Sequence, residues 1–508
     1  MNWLSTIVDK LVALHTEGEI LIESGGSPSG EYHLGHMREL VICDAILLEL
    51  RKRGHKARHI YFIDDMDALR KIPANIPSNY EKYLGRPLYD IPSPDPDKSY
   101  AEYFIDGLKK GCESLGVEVE FVRAHEKYQS GFFTDAIEKS LDNVVQIKDI
   151  LETISSRKLG DEWSPIQVNE EGYLKKRRFI SMDKKTKTLE YEDKNSKTRT
   201  ISYNSGDIKL DWRIDWPARW WLLGVAVEPF GRDHASAGGS YDTGKEVIEK
   251  VFKAEAPLPV KYDFINLFGD TKKMSASKGT GLSASEATGI IPSEVMRYFI
   301  LNAPPNKLLH FDPIGGLTRL MDEFAALLAK PDKDERKKRL VELCVNEVES
   351  VVSSVPFSHL VASYQSALKD PHKTLETIAR TEHAVNVKAQ KNVILSELKF
   401  IDGWLSTWAP EEVKFNILKE VNPKEFSQAE KDYLKALAGK IESGPKEPDA
   451  EWLHKAVYEF KDNTKLEPKQ LFQTLYKVLI GKDSGPRAGW FLSTLPKDWL
   501  VSRLRFEG

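Results

Sequence analysis

The sequence predicts an α/β protein in which a parallel-sheet unit, interrupted by an insertion, precedes a helical C-terminal half. Three observations carry the prediction. Over residues 20–64 a strand-length apolar run empties through a glycine-rich turn into a helix and a second strand. The same alternation resumes at Trp212. From Pro292 onward the chain reads as helices separated by prolines and glycines, with no tandem repeat.

The elements follow in order. The first residues, MNWLSTIVDKLVALHTEGE, make a short amphipathic helix; Asp9, Glu17 and Glu19 break any apolar stretch, so a signal peptide is not expected. Ile20–Glu23 has strand length, and SGGSPSG should turn the chain. From Leu34 to Arg53 apolar residues recur at helical spacing, and Gly54 supplies the stop. The strand ARHIYFID ends in the acidic run Asp64, Asp65, Asp67. In parallel sheets ligands bind at the carboxyl ends of strands, here the SGGSPSG and DDMD loops. Pro73–Pro96 is too irregular for an element. Helices near Tyr100–Leu115 and Phe133–Ile154 bracket the strand-like VEVEFV, and RRFISMDKKTKTLEYEDKNSKTRTISYNSG predicts a small, solvent-facing antiparallel insertion. A tryptophan-rich helix, WRIDWPARWWLLG, a strand entering the turn of VAVEPFGRDHASAGG, a strand in VKYDFINLFG and the loop TKKMSASKGTGLS complete the α/β part.

Composition narrows the class. Hydrophobic residues are 41% and charged residues 30%, enough to bury cores as an ordinary soluble chain. The net charge of -4 announces no basic nucleic-acid footprint, although such footprints are often local. Three separated cysteines, Cys43, Cys112 and Cys344, exclude a disulfide scaffold and a cysteine-ligated zinc ribbon and fit a reducing cytoplasm. No apolar run of about 18 residues supports a membrane span.

Two motifs carry chemistry. In Ser27-Pro28-Ser29-Gly30-Glu31-Tyr32-His33-Leu34-Gly35-His36 a strand reaches a helix start where free amides and the helix dipole favour an anion. Gly35 admits a flat nucleotide against the backbone, and His33 and His36, one turn apart, can both donate to a phosphate. The plain alternative is two histidines that cap and pack. In Lys272-Lys273-Met274-Ser275-Ala276-Ser277-Lys278-Gly279, lysines and hydroxyls on a glycine-flanked loop suit a clamp on a polyphosphate; a solvated basic loop is the alternative. The two motifs in this order, separated by an α/β sheet, are more specific than either.

HLGH and KMSAS resemble the HIGH and KMSKS signatures of class I aminoacyl-tRNA synthetases. With SPSGEYHLGHMRE, DDMDALRKIP, WRIDWPARW and EPFGRDHASAGGSYDTGK, the sequence is similar to the archaeal-type class I lysyl-tRNA synthetases. The resemblance is dense over about residues 20–75 and 205–300. It implies a Rossmann-type class I synthetase catalytic domain over 1–265 with an inserted subdomain at about 73–210. A linker domain carrying KMSAS would follow over 266–325, and an all-α tRNA-binding domain over 326–508. It also implies that ATP with Mg2+ and L-lysine form an adenylate, whose lysyl group passes to tRNA(Lys). His33, His36, Lys273 and Lys278 would be catalytic. Pro28, Gly30, Gly35, Gly231, Asp233, Met274, Ser275 and Ser277 would join His33, His36 and Lys273 around ATP. Ala276 departs from the signature and cannot bind phosphate, so Lys278 or Lys272 must supply that charge. Relatives often carry a cysteine-ligated zinc module in the insertion; PIQVNEEG has no cysteine, so no structural zinc is expected.

Lysine needs apolar walls for its methylenes and an acidic end for its charge. Trp212 and Tyr262 supply walls, Gly25 and Ser27 the α-amino grip and His234 a polar contact, while Trp216 and Trp220 at helical spacing read rather as core. The available carboxylates are Glu39, Asp64, Asp65 and Asp233, with no choice among them. Trp404, Trp408, Arg487, Trp490 and Phe491 are candidates for stacking on anticodon bases, with core packing as the alternative. A cytoplasmic monomer is expected. A glutamate-type class I synthetase, a free-standing nucleotidyltransferase and a catalytically inactive tRNA-binding paralogue stay open.

Overall fold

The computed structural model describes residues 2–156, 158–160, 162–269, 282–330, 332–345, 351–462 and 464–507. After α1 (Asn2–Leu14), the first apolar run becomes β1 (Ile20–Gly26), followed by α2 (Leu34–Lys52) and β2 (Ala57–Ile63). The strand runs beyond Glu23 because it pairs with β2 along its whole length, from Ile20 opposite Ala57 to Gly26 opposite Ile63. A Cβ at Gly25 would lie 2.6 Å from the Phe62 carbonyl oxygen, so glycine is what keeps the two strands together there.

α3 (Tyr100–Leu115), started by a Ser99–Glu102 capping box, leads to β3 (Glu120–Arg123). After the short α4 (Ala124–Gln129), the helix expected over Phe133–Ile154 is two, α5 (Thr134–Asp142) and α6 (Val144–Ser155). Asn143, at φ -119° and ψ 26°, leaves the helical region and divides them.

The insertion is antiparallel, as its alternation predicts. It comprises β4 (Ile166–Glu170), β5 (Tyr173–Lys176), β6 (Arg178–Asp183), β7 (Thr188–Glu192), β8 (Thr198–Ser202) and β9 (Ile208–Leu210), arranged β5-β4-β9 and β6-β7-β8. It does not face solvent throughout. Leu189 and Tyr191 on β7 point inward and share one core with Phe62 and Trp220.

α7 (Trp212–Leu223) starts on an Asp211 cap and stops at Gly224, whose φ is 66°. Then come β10 (Val227–Gly231), α8 (Ser240–Val247), β11 (Leu258–Tyr262) and β12 (Ile265–Leu267). The strand expected across Val260–Gly269 is split because β11 joins the main sheet while β12 pairs with a later strand; α9 (Ala284–Ile290), α10 (Ser293–Leu301) and that partner, β13 (Leu309–Phe311), follow. The main sheet is parallel, in the order β11-β10-β1-β2-β3. From β1 the chain proceeds to β2 on one side, and β10 leads to β11 on the other, so the sheet switches direction between β1 and β10. A crevice opens at such a point.

By its internal contacts the chain forms two units: Met1–Thr288 with Met296–Phe311, and Gly289–Val295 with Asp312–Gly508. The second unit is helical in its described residues beyond Asp312, and its core gathers Leu434, Leu437, Leu453, Leu475, Leu479 and Phe491. Phe491 is thereby a core residue, as is Trp404, which donates its indole N–H to the Pro313 carbonyl at 2.7 Å.

Within the first unit one buried guanidinium ties α2 to two distant segments. Arg38 Nη1 donates to the carbonyls of Asp263 (2.6 Å) and Phe264 (2.8 Å), and Nη2 to those of Pro305 (2.8 Å) and Lys307 (2.7 Å). Arg38→Met leaves those four carbonyls without their donors. The variant is expected to lose about 3–5 kcal/mol of stability, read as an earlier midpoint in urea unfolding followed by circular dichroism.

Candidate active site

The crevice between β1 and β10 is a cavity of about 360 Å³. Its walls come from the carboxyl ends of both strands, from the start of α2, and from α7 and β11. His33, Gly35, His36, Gly231 and Asp233 line it, together with Gly25, Ser27, Trp212, His234 and Tyr262. Residues expected to serve a nucleotide and residues expected to serve an amino acid thus surround one space. Pro28 and Gly30 are the exceptions. Both are buried in the loop between β1 and α2 and lie outside the lining, because that loop packs inward, with the Tyr100 hydroxyl donating to the Ser29 carbonyl at 3.3 Å.

The two histidines build the helix start that carries them. His33 is the N-cap, and its Nδ1 accepts the Gly35 N–H at 3.1 Å; His36 Nδ1 accepts the His33 N–H, also at 3.1 Å. The Leu34 N–H is bound by the Leu282 carbonyl at 3.1 Å and the His36 N–H by the His33 carbonyl at 2.9 Å. The amides that the sequence offered as anion donors are therefore consumed within the fold. What remains is the imidazole pair itself. With each Nδ1 accepting, the proton of a neutral ring sits on Nε2, and the rings lie 4.1 Å apart between centroids. On the β10 side a Cβ at Gly231 would stand 2.7 Å from an Asp233 carboxylate oxygen, so glycine there makes room for that carboxylate.

The opposite wall is aromatic and acidic. Trp212 and Trp216 both meet the His234 ring edge to face, at 5.9 Å and 5.5 Å. Trp216, which its helical spacing assigned to the core, is buried and lines the cavity as well; Trp220 is core alone. Glu39, reaching in from α2, accepts the Tyr262 hydroxyl and the Gly25 N–H (3.2 Å). Burial pushes its carboxyl up to about 7, although both hydrogen bonds favour the charged form.

Beneath lies a buried ionic network. Arg219 is within 3.1 Å of Asp215, 3.2 Å of Asp64 and 3.7 Å of Glu23, and Lys209 is within 3.1 Å of Asp67 and 3.2 Å of Asp215. Asp65, by contrast, serves structure: it pairs with Arg123 (2.5 Å) and His125 (2.6 Å) and does not line the cavity.

Sequence reasoning missed Glu23 and Glu228, which lie on neighbouring strands and both line the cavity. Burial raises both carboxyls. A signal was present: each is an acidic residue inside an otherwise apolar strand shortly before a glycine, in ILIESGG and VAVEPFG. Lys272, Lys273, Met274, Ser275, Ala276, Ser277, Lys278 and Gly279 lie outside the described residues.

A family model described as tRNA synthetases class I (K) matches residues 1–347, and an anticodon binding domain model matches residues 394–506. A lysine–tRNA ligase of Archaeoglobus fulgidus is 37% identical over 509 residues, spanning 99% of both chains. Lysine–tRNA ligase 1 of Methanosarcina acetivorans is 34% identical over 531 residues, spanning 99% of this chain and 98% of its own. Matched from end to end by these relatives and over residues 1–347 by the family model, the chain belongs to the class I lysine tRNA synthetase family.

Proposed function

We propose that the chain is a lysine–tRNA ligase: it activates L-lysine with ATP to lysyl-adenylate and transfers the lysyl group to the 3′-terminal ribose of tRNA(Lys). The observation that carries the choice of lysine is Glu39. It is a buried carboxyl on the cavity wall whose hydrogen-bond donors, Tyr262 and Gly25, are both neutral. A desolvated carboxylate without a protein cation is completed by a cationic substrate. The cavity's arginine supports the same choice. Arg219 is already paired with Asp64 and Asp215, so among the described lining residues no free guanidinium awaits the side-chain carboxylate of a glutamate.

The chemistry asks little acid–base work of the protein. One oxygen of the lysine α-carboxylate bonds to the α-phosphorus of ATP as the bond to the bridging oxygen breaks, and the electron pair leaves with pyrophosphate. The ribose hydroxyl of tRNA then displaces AMP from the acyl carbon, its proton passing to solvent. Positioning and charge stabilisation do the rest. His33 and His36 offer Nε2–H to phosphate oxygens where charge accumulates. Gly35 and Gly231 leave room for the nucleotide, and Asp233 serves its ribose hydroxyls. By their match to the class I signature, Lys273 and Lys278 are assigned to the leaving pyrophosphate, and Met274, Ser275 and Ser277 to ATP. The charge of the nucleotide's phosphates would be offset in part by the magnesium bound with ATP. Trp212, Trp216 and Tyr262 wall the lysine methylenes, and Gly25, Ser27 and His234 take its α-amino end.

For tRNA, the helical unit offers a second cavity of about 710 Å³, lined among others by His359, Gln365, Phe415, Arg487 and Trp490. The Trp490 and His359 rings stack at 4.1 Å, and the buried Trp490 Nε1–H has no partner among the described residues. Arg487 is exposed and makes no ion pair among the described residues. A flat ring system, a spare donor and an unpaired guanidinium suit an unstacked base and its phosphate.

Charging total tRNA with each labelled amino acid tests the reading: lysine alone should be esterified, and esterification of glutamate instead would overturn it. Glu39→Gln is expected to raise KM for lysine about 10–100-fold. Glu39 carries a proton below its value near 7, so in the parent protein KM for lysine should fall as pH rises from about 6 to about 8, then level, while Glu39→Gln flattens that profile in the same steady-state assay. Arg487→Glu should raise KM for tRNA about tenfold and leave KM for lysine in place.

A further inference from the structure

Trp216 stands at a weak point of its helix. Pro217 follows it inside α7, so that turn lacks a backbone donor and the proline ring crowds the preceding carbonyls. The residue before a proline is also pressed away from helical backbone angles. The helix therefore gives the Trp216 ring less support than an uninterrupted one would.

Support comes from β10 and the turn after it. Trp216 Nε1 donates to Glu228 Oε1 at 2.8 Å, and its ring meets Phe230 edge to face at 5.7 Å and His234 at 5.5 Å. From its own helix it receives Trp220, at 4.8 Å. Glu228 is 3% exposed and stands beside Glu23, with Glu39 also near. A carboxyl in that company costs far more to bury than the apolar residues that fill the rest of β10, and only Trp216 donates to it among the described hydrogen bonds. Its other oxygen, Oε2, has no partner among the described residues.

We propose that Glu228 is a positioning residue for amino-acid specificity: through the buried bond to the Trp216 indole it fixes the wall against which the substrate's methylenes pack. The inference rests on the assignment of the cavity to lysine. It extends that assignment to a residue that need not touch the ammonium. The strand that ends at Gly231, two residues before Asp233 on the nucleotide side, thereby also sets the aromatic wall of the amino-acid side.

The test is steady-state aminoacylation by the full chain with lysine and with ornithine, one methylene shorter. Glu228→Leu should raise KM for lysine about tenfold, change kcat far less, and narrow the preference for lysine over ornithine. Glu228→Gln, whose amide oxygen still accepts the indole N–H, should recover most of the loss. Trp216→Phe should match Glu228→Leu, and the double variant should be no worse than the worse single one, since both remove one coupling. An unchanged KM and preference in Glu228→Leu, or additive losses in the double variant, would overturn the proposal. Should Glu228→Leu fail to fold, Trp216→Phe decides alone, because it removes the N–H and keeps an aromatic ring; an unaltered preference there overturns the proposal equally. A parent protein that esterifies no lysine instead defeats the functional assignment, a result visible before any variant is made.

Discussion

The geometry of the site depends on the hold that Arg38 exerts from the first turns of α2. A fully buried guanidinium is costly unless it is hydrogen-bonded, and here four backbone carbonyls accept hydrogen bonds from Nη1 and Nη2, while Nε has no partner among the described residues. Those carbonyls belong to the segments entering β12 and β13, more than 220 residues away in sequence. The helix that presents His33 and His36 is thus fastened to two segments that are distant in sequence and lead into paired strands. A second fastening lies at its first residues, where the Leu34 N–H meets the Leu282 carbonyl and His33 bridges Ser283. Histidine placement follows from these contacts rather than from the helix alone.

On that frame the electrostatics are one-sided. Glu23, Glu39, Asp64 and Glu228 face the cavity, and Arg219 is the arginine among them. Burial raises all four carboxyls, which means that each would accept positive charge if it were offered. Glu23 and Asp64 share Arg219, and Glu228 is bonded to an indole. Glu39 has only a phenol and an amide. Of the four, Glu23 and Asp64 therefore face a protein cation, whereas Glu39 and Glu228 have only neutral donors among the described residues.

The parts of this arrangement that were legible in the sequence are the local ones. The strand–glycine–helix signature of HLGH, the turn carrying Gly231 and Asp233, and the tryptophan-rich helix are set by residues a few positions apart, and spacing reveals them. Arg38 was not legible, because nothing in its neighbourhood marks an arginine whose partners are distant carbonyls. The end of β1 was misplaced for a related reason. Ser24, Gly25 and Gly26 have turn chemistry, and only pairing with Tyr61, Phe62 and Ile63 makes them a strand. Trp216 shows a further limit. Helical periodicity separates buried from exposed faces, but a cavity wall is buried too, so core and pocket give the same pattern.

The reciprocal bonds between His33 and His36 bring a consequence of their own. Each imidazole lends its Nδ1 to the backbone while its ring lines the crevice. With the role proposed for them at the phosphates, architecture and chemistry are vested in the same two rings, and a replacement cannot satisfy one duty while being judged only on the other. Such positions leave little room for gradual drift: a successor must inherit both occupations at once.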